Sequence, residues 1–184
     1  MVTPGTAAPP FAVADLFARP ITLSDYQGRT LLLSFFRNAA CAMCNLRVHE
    51  LIARYPGLQR AGLAIVAVFE SPREAMLQYV GRQDAPFPLI ADPAGELYGR
   101  YGLESSEAKV AATMAMPETM ARVAEAAAAG FALTPEPGSN FHRMPADFLI
   151  GPDGVVLAAH YAHYVWDHMP FAQIEEQLGL TVPG

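Results

Sequence analysis

The chain of 184 residues has few basic residues and no cluster of them, which limits its possible partners. Its 12 lysines and arginines are outnumbered by 18 acidic residues, and the net charge is −6. A nucleic-acid-binding protein normally carries a basic patch or stripe, and none stands out in this sequence. We therefore expect no nucleic-acid partner.

The sequence also lacks long apolar runs. None approaches the roughly 20 residues that are needed to cross a bilayer. Residues 1–11 have neither the basic start nor the apolar centre of a secretory signal. There are only two cysteines, three positions apart as CxxC, a usage that is typical of a reducing compartment in which the pair cycles. We expect a cytoplasmic protein with no membrane partner.

The two cysteines lie where a buried strand is followed by a helix. The apolar run Leu31–Phe36 predicts a strand that is buried on both faces. Cys41 and Cys44 then open a helical pattern, which we expect to end at the breaker Tyr55-Pro56-Gly57. Cys44 begins a stripe of core-facing positions, whereas Cys41 precedes it at the exposed tip. The sequence therefore predicts Cys41 as an attacking thiol and Cys44 as its buried resolving partner.

The surroundings of this motif favour a thiolate. The unpaired N–H groups and the positive dipole end of a helix N-terminus stabilise negative charge. Arg37 and Arg47 lie close in sequence, and the predicted helix carries no carboxylate before Glu50. Such settings commonly lower a thiol pKa from about 8.5 to between roughly 3.5 and 7.5. The alternative is a pair of structural cysteines that happen to be close.

The remaining pattern predicts a single α/β domain over residues 1–184. A hairpin near the N-terminus comes first, and apolar strands then alternate with helices, which predicts a sheet with parallel strands. Residues 104–142 interrupt this order as a helical insertion of two helices, broken at Met116-Pro117-Glu118. A lid over the cysteines, a dimer contact and plain packing all fit this insertion. A second hairpin, opened by Pro145, and a final helix complete the chain.

Several short motifs, in this order, carry a resemblance to a known family. The matching motifs are Ala8-Pro9-Pro10-Phe11, Leu23–Gly28, Leu31–Phe36, Ile90-Ala91-Asp92-Pro93 and Phe148–Gly154. The chain resembles thioredoxin-fold proteins and, more closely, the alkyl hydroperoxide reductase/thiol-specific antioxidant (peroxiredoxin-like) family. The resemblance implies a thioredoxin-like fold with a central mixed sheet flanked by helices. It also implies an active thiol at the helix tip, no bound cofactor, and a homodimer as one option.

The sequence departs from the peroxiredoxin pattern at three positions. Ser34 and Asn38 stand where that family has a proline and a threonine or serine before its peroxidatic cysteine. Pro145 stands where the family has a late arginine. A proline there resembles thioredoxins, in which a cis-proline lies against the CxxC pair. We therefore expect a cis peptide at Met144–Pro145, close to Cys41; a trans proline that opens an edge strand is the alternative.

Two redox reactions fit the motif equally well at this point. In one, the Cys41 thiolate attacks the O–O bond of a hydroperoxide, and Cys44 resolves the sulfenic acid to a disulfide. In the other, Cys41 attacks a disulfide and Cys44 displaces the mixed disulfide. Either cycle needs a thiol reductant, such as a thioredoxin-like protein or a small thiol. A copper- or zinc-binding protein without redox turnover is the remaining hypothesis, although structural zinc needs four ligands.

Three other polar features are given structural roles by the sequence. Ser71, followed by Pro72, is expected to be the N-cap of a helix. Residues 160–168 are rich in histidine and aromatic residues. They either line a substrate or partner surface or, as we favour, cap a hairpin with Asp167 as the N-cap of the last helix. His49 is expected to be a partly buried structural group.

Overall fold

The computed structural model describes residues 1–180. The strands are β1 (Ala12–Ala14), β2 (Pro20–Thr22), β3 (Thr30–Phe35), β4 (Leu63–Phe69), β5 (Leu89–Ala91), β6 (Ala146–Ile150) and β7 (Val156–Tyr161). The α-helices are α1 (Ala42–Arg60), α2 (Arg73–Gln78), α3 (Glu96–Tyr101), α4 (Glu107–Met114), α5 (Pro117–Ala128) and α6 (Phe171–Gln177). Short 3-10 helices span Leu23–Tyr26 and Val80–Gln83. No helix among these residues is long and apolar enough to span a bilayer.

The strands form a two-stranded hairpin and a five-stranded mixed sheet. The hairpin pairs β1 with β2, as the sequence predicts. In the main sheet the order is β5-β4-β3-β6-β7, with β3, β4 and β5 parallel and with β6 and β7 antiparallel to their neighbours. The central mixed sheet of the predicted thioredoxin-like fold is therefore confirmed.

Apolar side chains from both faces of this sheet are buried, because helices cover each face. On one face Leu32 and Phe36 pack with Val48 and Leu51 of α1. On the other face Leu31, Leu33 and Phe35 pack with the hairpin and with the aromatic residues of α3. The buried run that precedes the cysteines therefore anchors α1 firmly against the sheet.

The prediction that α1 ends at Tyr55-Pro56-Gly57 is wrong. The helix continues through Pro56 and Gly57 to Arg60. A proline inside a helix loses one backbone hydrogen bond and costs about 3 kcal/mol. The extra turn carries Leu58, which is 3% exposed and belongs to the same apolar cluster as Leu51. Burying a leucine contributes about 1.5–3 kcal/mol, which offsets much of that cost.

The cis peptide predicted at Met144–Pro145 is also wrong, because residues 1–180 contain only trans peptide bonds. The extended backbone around this proline is already paired. The Met144 N–H donates to the Glu104 carbonyl at 3.1 Å, and the Pro145 carbonyl accepts from the Ala162 N–H at 3.2 Å. A trans proline leading into β6 satisfies both groups, and the cis form of an X–Pro bond is less stable by about 0.5–1 kcal/mol.

Candidate active site

The structure places Cys41 and Cys44 at the N-terminus of α1. Cys41 is the N-cap residue, and its sulfur accepts a hydrogen bond from the Cys44 N–H at 3.3 Å. Both cysteines are free thiols. A sulfur in the N-cap position faces the unpaired N–H groups and the positive end of the helix dipole. Negative charge on Cys41 is therefore stabilised by the backbone itself.

The two thiols have opposite pKa shifts. The hydrogen bond from the Cys44 thiol, together with attraction to Arg37, lowers the pKa of Cys41 to about 6 although burial opposes ionisation. Burial and the neighbouring Cys41 sulfur raise the pKa of Cys44 well above its usual value. At neutral pH this environment favours a thiolate at Cys41 and a neutral thiol at Cys44. The predicted roles of the two cysteines stay a prediction, which these shifts favour.

Of the two arginines near the motif in sequence, only Arg37 lies beside the thiols. It is buried, and its guanidinium donates to the carbonyl of Phe141 and, at 3.1 Å from Nε, to that of Arg143. Arg47 instead donates to the Met169 carbonyl at 2.6 Å, further along α1. Arg37 therefore supplies positive charge to Cys41 and also holds the end of the insertion against the active-site loop.

Cys41 is not at an exposed tip, which corrects the expectation from the sequence. Only 8% of the residue is exposed, and Cys44 is 1% exposed. The insertion covers the motif through Glu136, whose Oε2 accepts from the Ala40 N–H at 3.2 Å. Its Oε1 accepts from the Ser71 hydroxyl at 2.6 Å. The Glu136 carboxylate of the insertion is therefore hydrogen-bonded to Ala40, the residue directly before the candidate attacking cysteine.

The prediction that Ser71 caps α2 is wrong. Its hydroxyl forms hydrogen bonds with the active-site loop and the insertion instead. Pro72 is the N-cap of α2, and it forms no side-chain capping bond. The Ser71 oxygen accepts from the Ala39 N–H at 2.8 Å while its hydrogen is directed to Glu136. The side chain thus links the loop before Cys41 to the insertion.

Pro145 lies at the same end of the sheet as the cysteines. It is buried and directly precedes Ala146, which pairs with Phe35 at the end of β3. The neighbouring Met144 belongs to the same apolar cluster as Cys41 and Cys44. Cys41, Cys44 and Pro145, the three predicted site residues, therefore lie at the same end of the sheet, although the proline peptide is trans.

A buried polar cluster beneath α1 is not predicted by the sequence patterns. Asp147, which is 1% exposed, accepts hydrogen bonds from the Ser34 hydroxyl, from His168 Nδ1 at 3.0 Å and from the Met169 N–H at 2.6 Å. Burial opposes its ionisation, but attraction to His168, its hydrogen bonds and attraction to Arg47 lower the pKa of Asp147 to about 2. The signal was present in the sequence as one polar residue within each of two buried strands.

The histidine-rich segment is also arranged differently from the prediction. Asp167 is not the N-cap of α6, which is Pro170. Asp167 accepts instead from His160 Nε2 and from the His163 N–H, each at 2.8 Å. Asp167 therefore stabilises the loop after β7 and does not cap the last helix. His49 is exposed, not partly buried, and packs edge-on against Phe131 at 5.8 Å between ring centroids.

A bound copper or zinc ion would need several ligand side chains close together. Within residues 1–180 there is no group of three or more His, Cys, Asp or Glu side chains that could hold a metal ion.

A mixed sheet flanked by helices, with a CxxC pair at the N-terminus of the first long helix, defines a thioredoxin-fold protein. The chain belongs to the AhpC/TSA family, whose model matches residues 4–159. The match covers β1 to β6, the first four residues of β7 and the cysteine motif. Family membership therefore confirms the resemblance that the short motifs indicated.

The chain is similar to proteins of two redox types. It is 29% identical over 104 residues to a candidate peroxiredoxin of Mycobacterium tuberculosis strain H37Rv, covering 55% of this chain and 66% of that protein. It is 30% identical over 100 residues to the thiol-disulfide oxidoreductase ResA of Bacillus cereus, covering 54% of this chain and 57% of ResA. The matched segments thus span less than two thirds of these relatives.

Solved structures support the fold. Peroxidoxin BcpB from Mycobacterium tuberculosis has a TM-score of 0.67 at 15% identity, covering 98% of this chain and 96% of that chain. A candidate thiol:disulfide interchange protein DsbE from Chlorobium tepidum has a TM-score of 0.63 at 21% identity, with coverages of 98% and 97%. At these identities the similarity concerns the fold alone.

Proposed function

We propose that this protein is a thiol-dependent reductase of small hydroperoxides, with Cys41 as the attacking thiolate. One observation carries the proposal. The pKa of Cys41 is lowered to about 6, yet the residue is only 8% exposed beneath the insertion. A thiolate in such a position is reactive but is accessible mainly to a small oxidant. A folded protein disulfide would require the insertion to move first.

The reaction follows from the arrangement of the two sulfurs. The Cys41 thiolate attacks one peroxide oxygen, the O–O bond breaks, and the alkoxide leaves as an alcohol after taking up a proton. Cys41 is then a sulfenic acid. Cys44 attacks the Cys41 sulfur, an S–S bond forms, and hydroxide leaves as water with the proton of the Cys44 thiol. The protein is oxidised by two electrons and the hydroperoxide is reduced by two.

Disulfide exchange is the second candidate, favoured by the CxxC spacing and by the similarity to ResA. In that reaction Cys41 would attack a sulfur of the substrate, and Cys44 would release the reduced product. Both reactions leave a Cys41–Cys44 disulfide. The two reactions differ in the size of the substrate that must reach Cys41: a small hydroperoxide in one and a disulfide-containing protein in the other.

The disulfide must be reduced by an external dithiol or by two thiols. We include a thioredoxin-like protein or a small thiol as the reductant, and a reducing compartment such as the cytoplasm as the location. A homodimer also remains part of the proposal. Gel filtration of the reduced and the oxidised protein tests it, and a single monomer peak in both states would count against it.

Parallel turnover assays on one preparation test the function. One assay supplies tert-butyl hydroperoxide and dithiothreitol, and the other supplies an oxidised protein disulfide with the same reductant. We expect turnover in the first assay at a rate at least tenfold above that in the second. Turnover confined to the protein disulfide would contradict the proposal and favour exchange.

Two cysteine variants assign the roles. Cys41→Ser is expected to abolish turnover. Cys44→Ser is expected to allow one round of peroxide reduction, which leaves a sulfenic acid on Cys41 that a dimedone adduct reveals by mass spectrometry. Dimedone labelling of Cys44 in the Cys41→Ser protein after peroxide treatment would show that the roles are reversed.

A further inference from the structure

A cavity of about 370 Å³ lies along α1, beside the cysteine motif. Its walls come from α1, from α5, from the histidine-rich segment after β7 and from the start of α6. Met43, which lies between the two cysteines in sequence, forms part of the wall. The volume is within the usual range for small-molecule sites. Neither Cys41 nor Cys44 is part of the wall.

Three arginines line the cavity and face aromatic rings. The guanidinium carbons of Arg47 and Arg54 lie 3.8 and 4.3 Å from the ring centroid of Phe171. That of Arg122 lies 5.7 Å from the ring centroid of Trp166. Stacking of this kind occupies the face of a guanidinium and leaves its N–H edge available for planar anions such as carboxylates.

Arg47 has an unsatisfied buried donor. It is 9% exposed, and its Nη2 and Nη1 reach the Met169 carbonyl at 2.6 Å and Glu50 at 3.4 Å. Its Nε is buried and has no hydrogen-bond partner within residues 1–180. Burial lowers the pKa of Arg47 more than attraction to Asp147 and Glu50 raises it. Its charge is therefore only partly compensated by the protein.

The carboxylates around the cavity are already engaged. Glu50 is shared between Arg47 at 3.4 Å and Arg122 at 3.3 Å. Asp167, the other carboxylate in the wall, is held by His160 and by a backbone N–H. Outside the wall, Glu125 pairs with Arg122 at 2.8 Å and Glu175 pairs with Arg54 at 3.3 Å. The arginine donor that is left without an acceptor within residues 1–180 is therefore the Nε of Arg47. An additional carboxylate would supply the missing acceptor.

We propose that this cavity binds the carboxylate of a small molecule that reacts at the CxxC motif, and that Arg47 and Arg122 hold this carboxylate. The inference rests on the proposed function, because the molecule is either the hydroperoxide or the thiol reductant. Met43 connects the cavity wall to the motif. The aromatic rings would contact the apolar part of the molecule while the guanidiniums hold its charged end.

Binding can be measured without turnover. Trp166 is the single tryptophan of the chain and lines the cavity, so its fluorescence reports on a ligand there. We expect 3-phenylpropionate to change this fluorescence saturably, with a Kd at least tenfold lower than that of 3-phenylpropionamide. Equal affinities for the acid and the amide, or no saturable change with either, would overturn the proposal.

Three variants locate the site. Arg122→Gln and Arg47→Met are each expected to raise the Kd of 3-phenylpropionate at least tenfold. Arg60→Gln, an exposed arginine of the same helix, is the matched control and should leave the Kd unchanged. Arg122 is partly exposed, so its variant keeps the test valid if Arg47→Met does not fold. An equal loss in Arg60→Gln, or none in Arg122→Gln, would contradict the assignment.

Two kinetic comparisons identify the molecule. One uses a hydroperoxide that carries a carboxylate and its methyl ester; the other uses 3-mercaptopropionate and its methyl ester as reductants. We expect esterification to raise KM at least tenfold in one comparison, and Arg122→Gln to remove that difference. Binding of 3-phenylpropionate without a KM difference in either comparison would overturn the link to the reaction. Absence of all peroxidase turnover would instead contradict the proposed function.

Discussion

The carboxylate of Glu136 and the hydroxyl of Ser71 are joined by a hydrogen bond of 2.6 Å that closes the insertion over the cysteine motif. The same carboxylate accepts from the Ala40 N–H, one residue before Cys41. A carboxylate is favoured at a helix N-terminus for the same reason as a thiolate, because both meet unpaired N–H groups. Glu136 thus covers the approach to Cys41.

Removing this carboxylate should expose the thiol. Each of its two hydrogen bonds contributes about 1 kcal/mol, so Glu136→Ala is expected to increase the rate of Cys41 alkylation by iodoacetamide about thirtyfold. Stopped reactions analysed by mass spectrometry give the rate. Glu118→Ala, which removes an exposed glutamate of the same insertion, is the control. An unchanged rate in Glu136→Ala would mean that the insertion does not limit access.

The pH dependence of that alkylation should report the lowered pKa of Cys41. The thiolate is the reactive form, so the rate should rise with pH and level off above a midpoint near 6. Cys44→Ala removes the strongest stabilising hydrogen bond and should move the midpoint upward, toward the ordinary value of about 8.5.

Cys44→Ser is the matched variant for this titration, because its hydroxyl keeps a donor near the Cys41 sulfur. Its midpoint is expected to lie between those of the wild type and Cys44→Ala. Identical midpoints in all three proteins would show that Cys44 does not stabilise the thiolate.

The sequence predicted the motif and its strand–helix position but not its burial. Hydrophobic periodicity reports which face of α1 meets the sheet, and it placed Cys44 correctly in the core. It does not report where a distant loop folds back. Glu136 lies 95 residues after Cys41 in a Pro/Gly-rich segment, whose composition predicts a loop but not its contacts. The same limit explains why Ser71 was expected to cap a helix.

The ionised side chain of Asp147 should stabilise the fold. Removing one partner from a buried charged pair costs about 3–5 kcal/mol, so Asp147→Asn should lower the free energy of unfolding at pH 7 by about 3 kcal/mol. Urea denaturation measures the difference. Ser34→Ala, which removes only a neutral partner, should cost less, about 1–2 kcal/mol.

The sign of the pH effect follows from the lowered pKa of Asp147, about 2 when folded against 3.8 ordinarily. The contribution of ionised Asp147 to the free energy of unfolding is present above pH 4 and is lost as the pH falls through 2. The difference between wild type and Asp147→Asn should therefore be largest at pH 5 and above and smaller near pH 2. A difference that stayed constant from pH 7 to pH 2 would contradict an ionised Asp147.

Local sequence signals failed at the C-terminal turn of α1, and this failure can be tested. Pro56 and Gly57 both disfavour a helix, yet the helix continues because Leu58 is buried against the sheet. Gly57 is exposed, does not have a positive φ, and has open space where a Cβ would lie. Glycine in a helix interior is less stable than alanine by about 0.5–1 kcal/mol.

Gly57→Ala is therefore expected to raise the free energy of unfolding by about 0.5–1 kcal/mol, measured by urea denaturation, without changing the alkylation rate of Cys41. Gly62→Ala, just after the helix, is the matched comparison: its φ is +89°, which an alanine rarely adopts, so that variant should be destabilised. Destabilisation by Gly57→Ala would indicate that residues 57–60 are not helical and that the breaker in the sequence does end α1.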